Sequence, residues 1–240
     1  MLWAISDLHL PGGTGKRMDV FGEAWAGHAS RIEEAWRASV GADDVVLVPG
    51  DLSWASRPAD AMPDLAFLGS LPGRKYITRG NHDYWWKSLA GVREMLPAGI
   101  GALLNSAVDA GGFVLCAARG WTLPSSEFFV EERDRPILEK EIGRLGMAVE
   151  SALDIDGGPR VAMMHFPPTE DGGRTAFTDI LAGAGIDACV FGHLHGEVRA
   201  DLSRFELDGV YYVMCSADQV GFAPVPVVLG DRYAERGVRG

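Results

Sequence analysis

Short apolar runs that end in polar residues dominate the first third of the chain. The runs at 2–5, 45–48 and 75–78 have the length and the β-branched or aromatic content of strands. Two amphipathic stretches lie between them, at 29–40 and 59–68, and Ile32, Trp36 and Val40 of the first recur at helical spacing. The alternation of strands and helices predicts a mainly parallel sheet with helices packed on it.

Beyond Pro97 the pattern predicts further strands, at 102–105, 113–118, 161–164, 187–191, 210–215 and 225–229, with a turn at 109–112. A long amphipathic helix is predicted to begin near Pro136, because proline suits a first helical turn. A second, short helix is predicted at 176–182. No linker or repeat interrupts the pattern, so we expect one domain over residues 1–240, with a frayed polar tail at 231–240.

The net charge and the positions of the cysteines restrict the functions and the compartment expected for this chain. The net charge of −11 argues against binding to nucleic acid or to anionic lipid, both of which need a cationic face. The three cysteines lie in apolar runs without a CxxC, which predicts buried thiols in a reducing compartment. There is no apolar run long enough to cross a bilayer and no signal-peptide pattern at the N-terminus. We therefore expect a cytoplasmic protein.

Metal-competent side chains follow five of the predicted strands. Glycines precede several of them and allow a sharp turn at the strand end, where open α/β sheets usually bind ligands. Each motif alone has an ordinary explanation, such as a polar turn or a hydrogen-bonded core histidine. Five in one chain are hard to explain independently, and together they predict a shared metal site. The candidate ligands are Asp7, His9, Asp51, Asn81, His165, His193 and His195.

Seven ligands are too many for one metal ion and fit two ions with one carboxylate shared. The donors are imidazole, carboxylate and amide groups, with no thiolate. This chemistry favours manganese, iron, zinc or cobalt over a structural zinc site. Such two-metal sites suit in-line displacement at phosphorus.

The motifs DLH at 7–9, GD at 50–51, GNHD at 80–83, MMHFPP at 163–168 and GHLHG at 192–196 resemble the calcineurin-like metallophosphoesterase signature, and small bacterial predicted phosphohydrolases in particular. The resemblance implies a four-layer α/β/β/α sandwich with two central mixed β-sheets. It also implies ligands for two ions, with manganese expected to support activity in vitro. Asp7, His9 and His195 would bind the first ion; Asn81, His165 and His193 the second; Asp51 would bridge them.

The resemblance further implies that a hydroxide between the metals attacks phosphorus, while His82 stabilises the developing charge or protonates the leaving alkoxide. We expect Asp83 to hold the loop rather than to orient His82. Arg119 follows a predicted strand and is expected either to clamp a phosphate oxygen or to form a surface salt bridge. His28 is expected to cap the first helix or to lie on the surface. Core packing is the expectation for Trp54, Trp85, Trp86 and Trp121, ahead of substrate stacking.

One departure from the family limits the substrate. Protein Ser/Thr phosphatases of this superfamily carry GDxxDRG, whereas this chain has Gly50-Asp51-Leu52-Ser53-Trp54-Ala55-Ser56. We therefore expect a small or nucleotide-like phosphate ester, either a monoester or a diester. The alternatives are a non-catalytic metal-binding scaffold for protein interaction and, less favoured by the acidic balance, a nuclease partner in DNA repair.

Overall fold

A computed structural model describes residues 1–16, 18–198, 200–227 and 229. Its strands are β1 (Leu2–Ala4), β2 (Val45–Pro49), β3 (Arg74–Thr78), β4 (Ile100–Ala102), β5 (Ser106–Asp109), β6 (Val114–Ala118), β7 (Arg160–Met164), β8 (Ala188–Phe191), β9 (Arg204–Leu207), β10 (Val210–Met214) and β11 (Val225–Pro226). Its α-helices are α1 (His28–Ser39), α2 (Pro58–Ser70), α3 (Leu89–Met95), α4 (Glu131–Leu153) and α5 (Ala176–Gly183). Short 3-10 helices lie at Gly12–Thr14, Met18–Phe21, Glu23–Trp25 and Ala200–Leu202.

The strands form two mixed sheets. The first has the order β11-β1-β2-β3-β4, with β1 to β4 parallel and β11 antiparallel at the edge. The second has the order β5-β6-β7-β8-β10-β9, with four parallel strands between antiparallel edges. The mainly parallel arrangement predicted from the strand and helix alternation is confirmed.

Successive side chains of β2 point to opposite faces of the first sheet, and their contacts show how the layers pack. Val46 and Val48 pack in one core cluster with the apolar faces of α1, α2 and α3. Val45 and Leu47 point the other way and pack against the second sheet, for example against Leu115. Helices α4 and α5 cover the outer face of that second sheet. The order helix, sheet, sheet, helix confirms the predicted four-layer α/β/β/α sandwich.

The residues from Tyr84 to Leu89 follow a predicted strand and have the pattern of a helix start, but the helix begins only at Leu89. Trp85 is buried in the core, and its Nε1–H donates to the carboxylate of Asp83 at 2.9 Å. These contacts hold the segment in a tight turn. The helix begins where Ser88 supplies the cap, its side chain accepting the Gly91 N–H.

The run 102–105, predicted as a strand, connects the two sheets. Ala102 ends β4 in the first sheet and Ser106 begins β5 in the second. Leu103 is apolar because it is buried between the sheets, not because it lies within a strand. An apolar run of this length does not distinguish the two situations.

Other helices and strands also differ from the prediction in their extent. Helix α4 starts at Glu131, five residues before Pro136, because the carboxylate of Asp134 accepts the Val130 N–H and acidic residues suit a helix N-terminus. Strands β5 and β9 lie outside the predicted strands, and β11 ends at Pro226. The tail predicted to fray, 231–240, lies outside the described residues. Among the helices that the structure describes, none combines the length and the apolar composition of a membrane span.

Candidate metal centre

All seven candidate ligands lie at the edge where strands of both sheets end. Asp7 and His9 follow β1, Asp51 follows β2 and Asn81 follows β3 in the first sheet. In the second sheet His165 follows β7, and β8 is followed by His193 and His195. Face-to-face packing of the sheets brings these strand ends together.

Asp7, His9 and His195 form the first group of donors. One donor atom from each residue lies within 4.8 Å of the others. The Nε2 atoms of the two histidines are 3.4 Å apart, and Nε2 of His195 is 3.5 Å from Oδ1 of Asp7. The other Asp7 oxygen accepts hydrogen bonds from the Ser6 hydroxyl and the His193 N–H, whereas Oδ1 is buried with no hydrogen-bond partner among the described residues. A buried carboxylate oxygen facing two imidazoles fits a metal ion.

Asn81, His165 and His193 form the second group, and Asp51 lies between the two groups. Oδ1 of Asn81 is 2.5 Å from Nε2 of His165 and 3.0 Å from Nδ1 of His193. Oδ2 of Asp51 is 3.6 Å from Nε2 of His165 and 3.9 Å from Nε2 of His9. A single carboxylate oxygen is therefore within reach of an ion in either group.

Most of these histidines are unprotonated at neutral pH and can therefore bind a metal ion. Burial lowers the pKa of His9 and His165 to about 3 and that of His193 to about 4, so all three are neutral at pH 7. Burial also opposes the charging of His195, but the hydrogen bond to Asp218 and the nearby negative charge of Asp7 outweigh it and raise its pKa to about 10. The imidazolium of His195 therefore supplies positive charge beside Asp7 that a metal ion would replace.

The backbone at four of the candidate ligands is strained. Asp7, His9, Asp51 and His193 have φ angles of 55°, 44°, 51° and 72°, in the left-handed region that non-glycine residues rarely adopt. Backbone hydrogen bonds from the Asp7 N–H to Gly50 and from the His9 N–H to Asp51 hold two of these loops together. Strain of this kind is typical of functional sites, where the surrounding structure imposes it.

Two glycines are required because the loops approach each other closely. A Cβ on Gly80 would lie 2.0 Å from Oδ1 of Asp51 and 2.4 Å from its backbone nitrogen. A Cβ on Gly192 would lie 2.2 Å from Oγ of Ser6 and 2.3 Å from Oδ2 of Asp7. Neither site leaves room for any side chain.

Asp83 joins the loops that follow β2 and β3. Its buried carboxylate accepts the N–H groups of Gly80 at 2.8 Å and Asp51 at 2.9 Å. It also accepts the N–H groups of Leu52 at 3.0 Å and Ser53 at 3.3 Å. These bonds fix the position of Asp51 relative to the Asn81 loop.

Two ring nitrogens that face away from the donors hold their imidazoles in place. Nδ1 of His165 lies 3.1 Å from the Pro49 carbonyl, and Nδ1 of His195 lies 2.8 Å from Oδ1 of Asp218. Such contacts orient metal-binding histidines. Sequence reasoning missed Asp218, although it follows β10 as the candidate ligands follow their strands.

His28 is buried, so the surface position expected for it is wrong. It is the first residue of α1, and its Nε2 lies 3.2 Å from the backbone carbonyl of His9. The contact supports the strained loop after β1.

A cavity of about 800 Å³ opens over the donors, and His82 lines it together with His9 and Asp51. The backbone N–H of His82 donates to Oδ1 of Asp51 at 2.8 Å. Burial lowers the pKa of His82, so its ring is neutral at pH 7. Nδ1 of the ring is buried without a partner in the described part of the chain.

Arg119 is not brought to this cavity. Its guanidinium lies 3.2 Å from Oε1 of buried Glu141 and 4.7 Å from the ring centroid of Trp121. Trp85 and Trp86 are buried in the core, as expected. Trp54 instead lines the cavity.

The family model for calcineurin-like phosphoesterases matches residues 1–197, which contain all seven candidate ligands. This chain belongs to the calcineurin-like phosphoesterases. It therefore belongs to a family of metal-dependent phosphoesterases, and the fold brings together candidate ligands for such a metal.

Two phage proteins are similar in sequence to part of the chain. The "Gene 66 protein" of Mycobacterium phage D29 is 37% identical over 84 residues, and that of phage L5 is 34% identical over 83 residues. Each match covers 34% of this chain and 40% or 39% of the phage protein. The chain therefore spans about two-fifths of the length of these curated relatives.

Two solved structures share the fold at low sequence identity. A protein of unknown function, AQ665 from Aquifex aeolicus, has a TM-score of 0.51 and 16% identity, with 98% of each chain covered. The protein TT1561 of Thermus thermophilus has a TM-score of 0.54 and 11% identity, with 89% of this chain and 87% of that chain covered. At these identities the likeness concerns the fold alone.

Proposed function

We propose that this calcineurin-like phosphoesterase hydrolyses a phosphate monoester or diester at a two-metal centre. The observation that carries the proposal is the position of Asp51, whose Oδ2 lies 3.6 Å and 3.9 Å from histidine nitrogens of the two donor groups. A carboxylate between two sets of donors is the arrangement that two ions sharing one ligand need.

The donor groups divide the ligands between two ions of manganese, iron, zinc or cobalt. The first site consists of Asp7, His9 and His195, the second of Asn81, His165 and His193, and Asp51 is shared. When bound, such ions activate a water molecule and neutralise phosphate oxygens. The loops are held in a binding-ready shape by their hydrogen bonds, so little reorganisation opposes metal binding.

His82 is the proposed catalytic residue of the protein itself. Its main chain is fixed on Asp51, and its neutral ring lines the cavity beside the donors. From there a ring N–H can donate to a phosphate oxygen or to the leaving oxygen as negative charge develops on it. Arg119 has no part in this proposal, because its guanidinium pairs with Glu141 and is not among the described residues that line the cavity.

The proposed substrate is a small or nucleotide-like phosphate ester in the cytoplasm. The cavity of about 800 Å³ has the size of an ordinary small-molecule site. The net charge of −11 disfavours long nucleic acids and anionic membranes as partners.

The proposal is tested by stripping the protein of metal, re-supplying manganese and measuring how much metal is bound. The hydrolysis of chromogenic phosphate monoesters and diesters is then measured. We expect two ions per chain and hydrolysis of one ester class. Asp51→Asn should lower metal content and activity together, whereas His82→Ala should keep the metal and lose about 100-fold or more in kcat. Glu139→Gln, an exposed acid on α4, is the control and should change neither.

Two outcomes would contradict the proposal. Wild-type protein that binds fewer than two ions would exclude the shared-ligand centre. Wild-type protein that binds two ions and cleaves no ester would point to the non-catalytic scaffold, and a screen for protein partners would follow.

A further inference from the structure

An aromatic wall lines the cavity beside the candidate metal ligands. We define it as Phe21, Trp25 and Trp54. Phe21 and Trp25 lie in the short 3-10 helices Met18–Phe21 and Glu23–Trp25, which supply none of the candidate metal ligands. The function proposed above uses none of the three side chains.

The wall begins in contact with the donor groups. The Trp54 indole stacks on the His9 imidazole, with ring centroids 4.8 Å apart and planes at 22°. The same indole lies 4.7 Å from the ring of His82. A group attached to a phosphate at the metals would therefore meet Trp54 directly.

The wall continues outward as an open aromatic surface. The Phe21 ring is nearly parallel to Trp54, at 9°, with centroids 6.1 Å apart. Phe21 remains 67% exposed, although burying such a ring is favourable. An exposed ring parallel to the wall, beside a reactive centre, is a surface on which another flat ring can stack.

Few of the described side chains that line the cavity are charged. Among the described lining residues there is no lysine or arginine, and the acids there are Asp51 and Asp218. Lys16 lies nearby, with Nζ 4.8 Å from the Trp54 ring centroid. An aromatic ring would find stacking partners along the wall.

We propose that the aromatic wall binds a planar aromatic group of the substrate, so that the enzyme acts on phosphate esters carrying an aryl group or a nucleobase. This substrate class rests on the proposed function, because it places the phosphate at the metals. Phe21 and Trp54 are then the residues that determine specificity.

Calorimetric titration of the manganese-loaded protein with non-hydrolysable phosphonates tests the proposal without turnover. We expect benzylphosphonate to bind about fivefold or more tightly than methylphosphonate, and more tightly than cyclohexylmethylphosphonate, which is similar in size but not flat. Adenosine 5′-monophosphate compared with ribose 5-phosphate distinguishes a nucleobase from a simple aryl group. Equal affinities within every pair, or no binding with both metals present, would overturn the proposal.

Variants of the aromatic wall test whether its side chains cause the preference for benzylphosphonate. Phe21→Ala should remove most of the preference for benzylphosphonate and leave methylphosphonate binding within about twofold, and Trp54→Phe should retain part of it. Phe128→Ala removes a phenylalanine of similar exposure, 74% against 67%, that does not line the cavity and should change nothing. A Phe21→Ala protein that weakens both ligands equally would refute the stacking role.

The two proposals can fail separately. Hydrolysis of benzyl and methyl esters at equal kcat/KM, with equal phosphonate affinities, would leave the phosphoesterase intact and remove the aromatic specificity. A clear benzyl preference in the titration, without hydrolysis of any ester, would leave the aromatic site and remove the proposed reaction.

Discussion

The carboxylate of Asp218 lies 2.8 Å from Nδ1 of His195, on the side of the ring opposite to Asp7. Its second oxygen accepts the Gly196 N–H at 3.0 Å, so the carboxylate is itself held in place. The contact requires a proton on Nδ1 and leaves Nε2 to face Asp7 at 3.5 Å. Asp218 thus fixes the orientation of His195, one of the candidate ligands.

We expect Asp218→Asn to weaken manganese binding about 10- to 100-fold, because the amide holds the imidazole less firmly and makes it a poorer donor. Competition against a chelator measures the affinity. Asp208→Asn, at an exposed turn where the acid pairs with Arg174, is the control and should bind manganese as the wild type does. Unchanged affinity in Asp218→Asn would exclude the positioning role.

We expect Gly80→Ala to cost about 3 kcal/mol or more of unfolding free energy and to abolish metal binding, because its Cβ would lie 2.0 Å from Oδ1 of Asp51. Urea unfolding and metal content measure the two effects. Gly143→Ala is the matched control: its Cβ meets nothing within 4 Å in helix α4, and it should stabilise the protein by about 1 kcal/mol. A Gly80→Ala protein with normal metal content would show that the loops can separate.

We expect the buried carboxyl group of Asp64 to contribute to the pH dependence of the unfolding free energy. Burial raises the pKa of this carboxyl to about 6, above the unfolded value near 3.8. Between these values the folded protein binds more protons at Asp64 than the unfolded chain does, so the contribution of Asp64 to the unfolding free energy falls as the pH rises from about 4 to about 6 and then levels off.

Asp64→Asn should remove this dependence, which amounts to at most about 3 kcal/mol. Urea unfolding of metal-free protein between pH 4.5 and 7.5 measures it. Asp60→Asn, on the same helix and paired with Arg57, should retain the wild-type profile. Parallel profiles for the wild type and Asp64→Asn would assign the pH dependence to other groups.

Manganese should stabilise the folded protein, because Oδ1 of the buried Asp7 carboxylate has no hydrogen-bond donor among the described residues. At 100 times the dissociation constant we expect about 3 kcal/mol, seen as a higher Tm in thermal unfolding. Asp51→Asn should lose most of this gain, and Glu139→Gln should keep it. An equal gain in all three proteins would place the manganese elsewhere.

Much of the centre was predictable because its signals are local in the chain. A strand, a sharp turn and a polar side chain are adjacent in sequence at Asp51, Asn81 and His165, and parallel strands align their ends. The order of the layers followed from the same alternation of apolar runs. No tertiary information was needed to name the seven candidate ligands, all of which the structure places at one edge.

Other features depend on contacts between distant segments, which periodicity does not encode. Asp218 reaches His195 only because β10 pairs with β8, and Asp83 holds the Asp51 loop across the gap between two strand ends. Buried Trp85 delays α3 to Leu89 by packing, against the local helical pattern. The sequence by itself determined which groups could bind metal. Only the packing of two sheets and the loop before α1 decided how those groups are oriented and what surrounds them, because side-chain contacts across the fold set both.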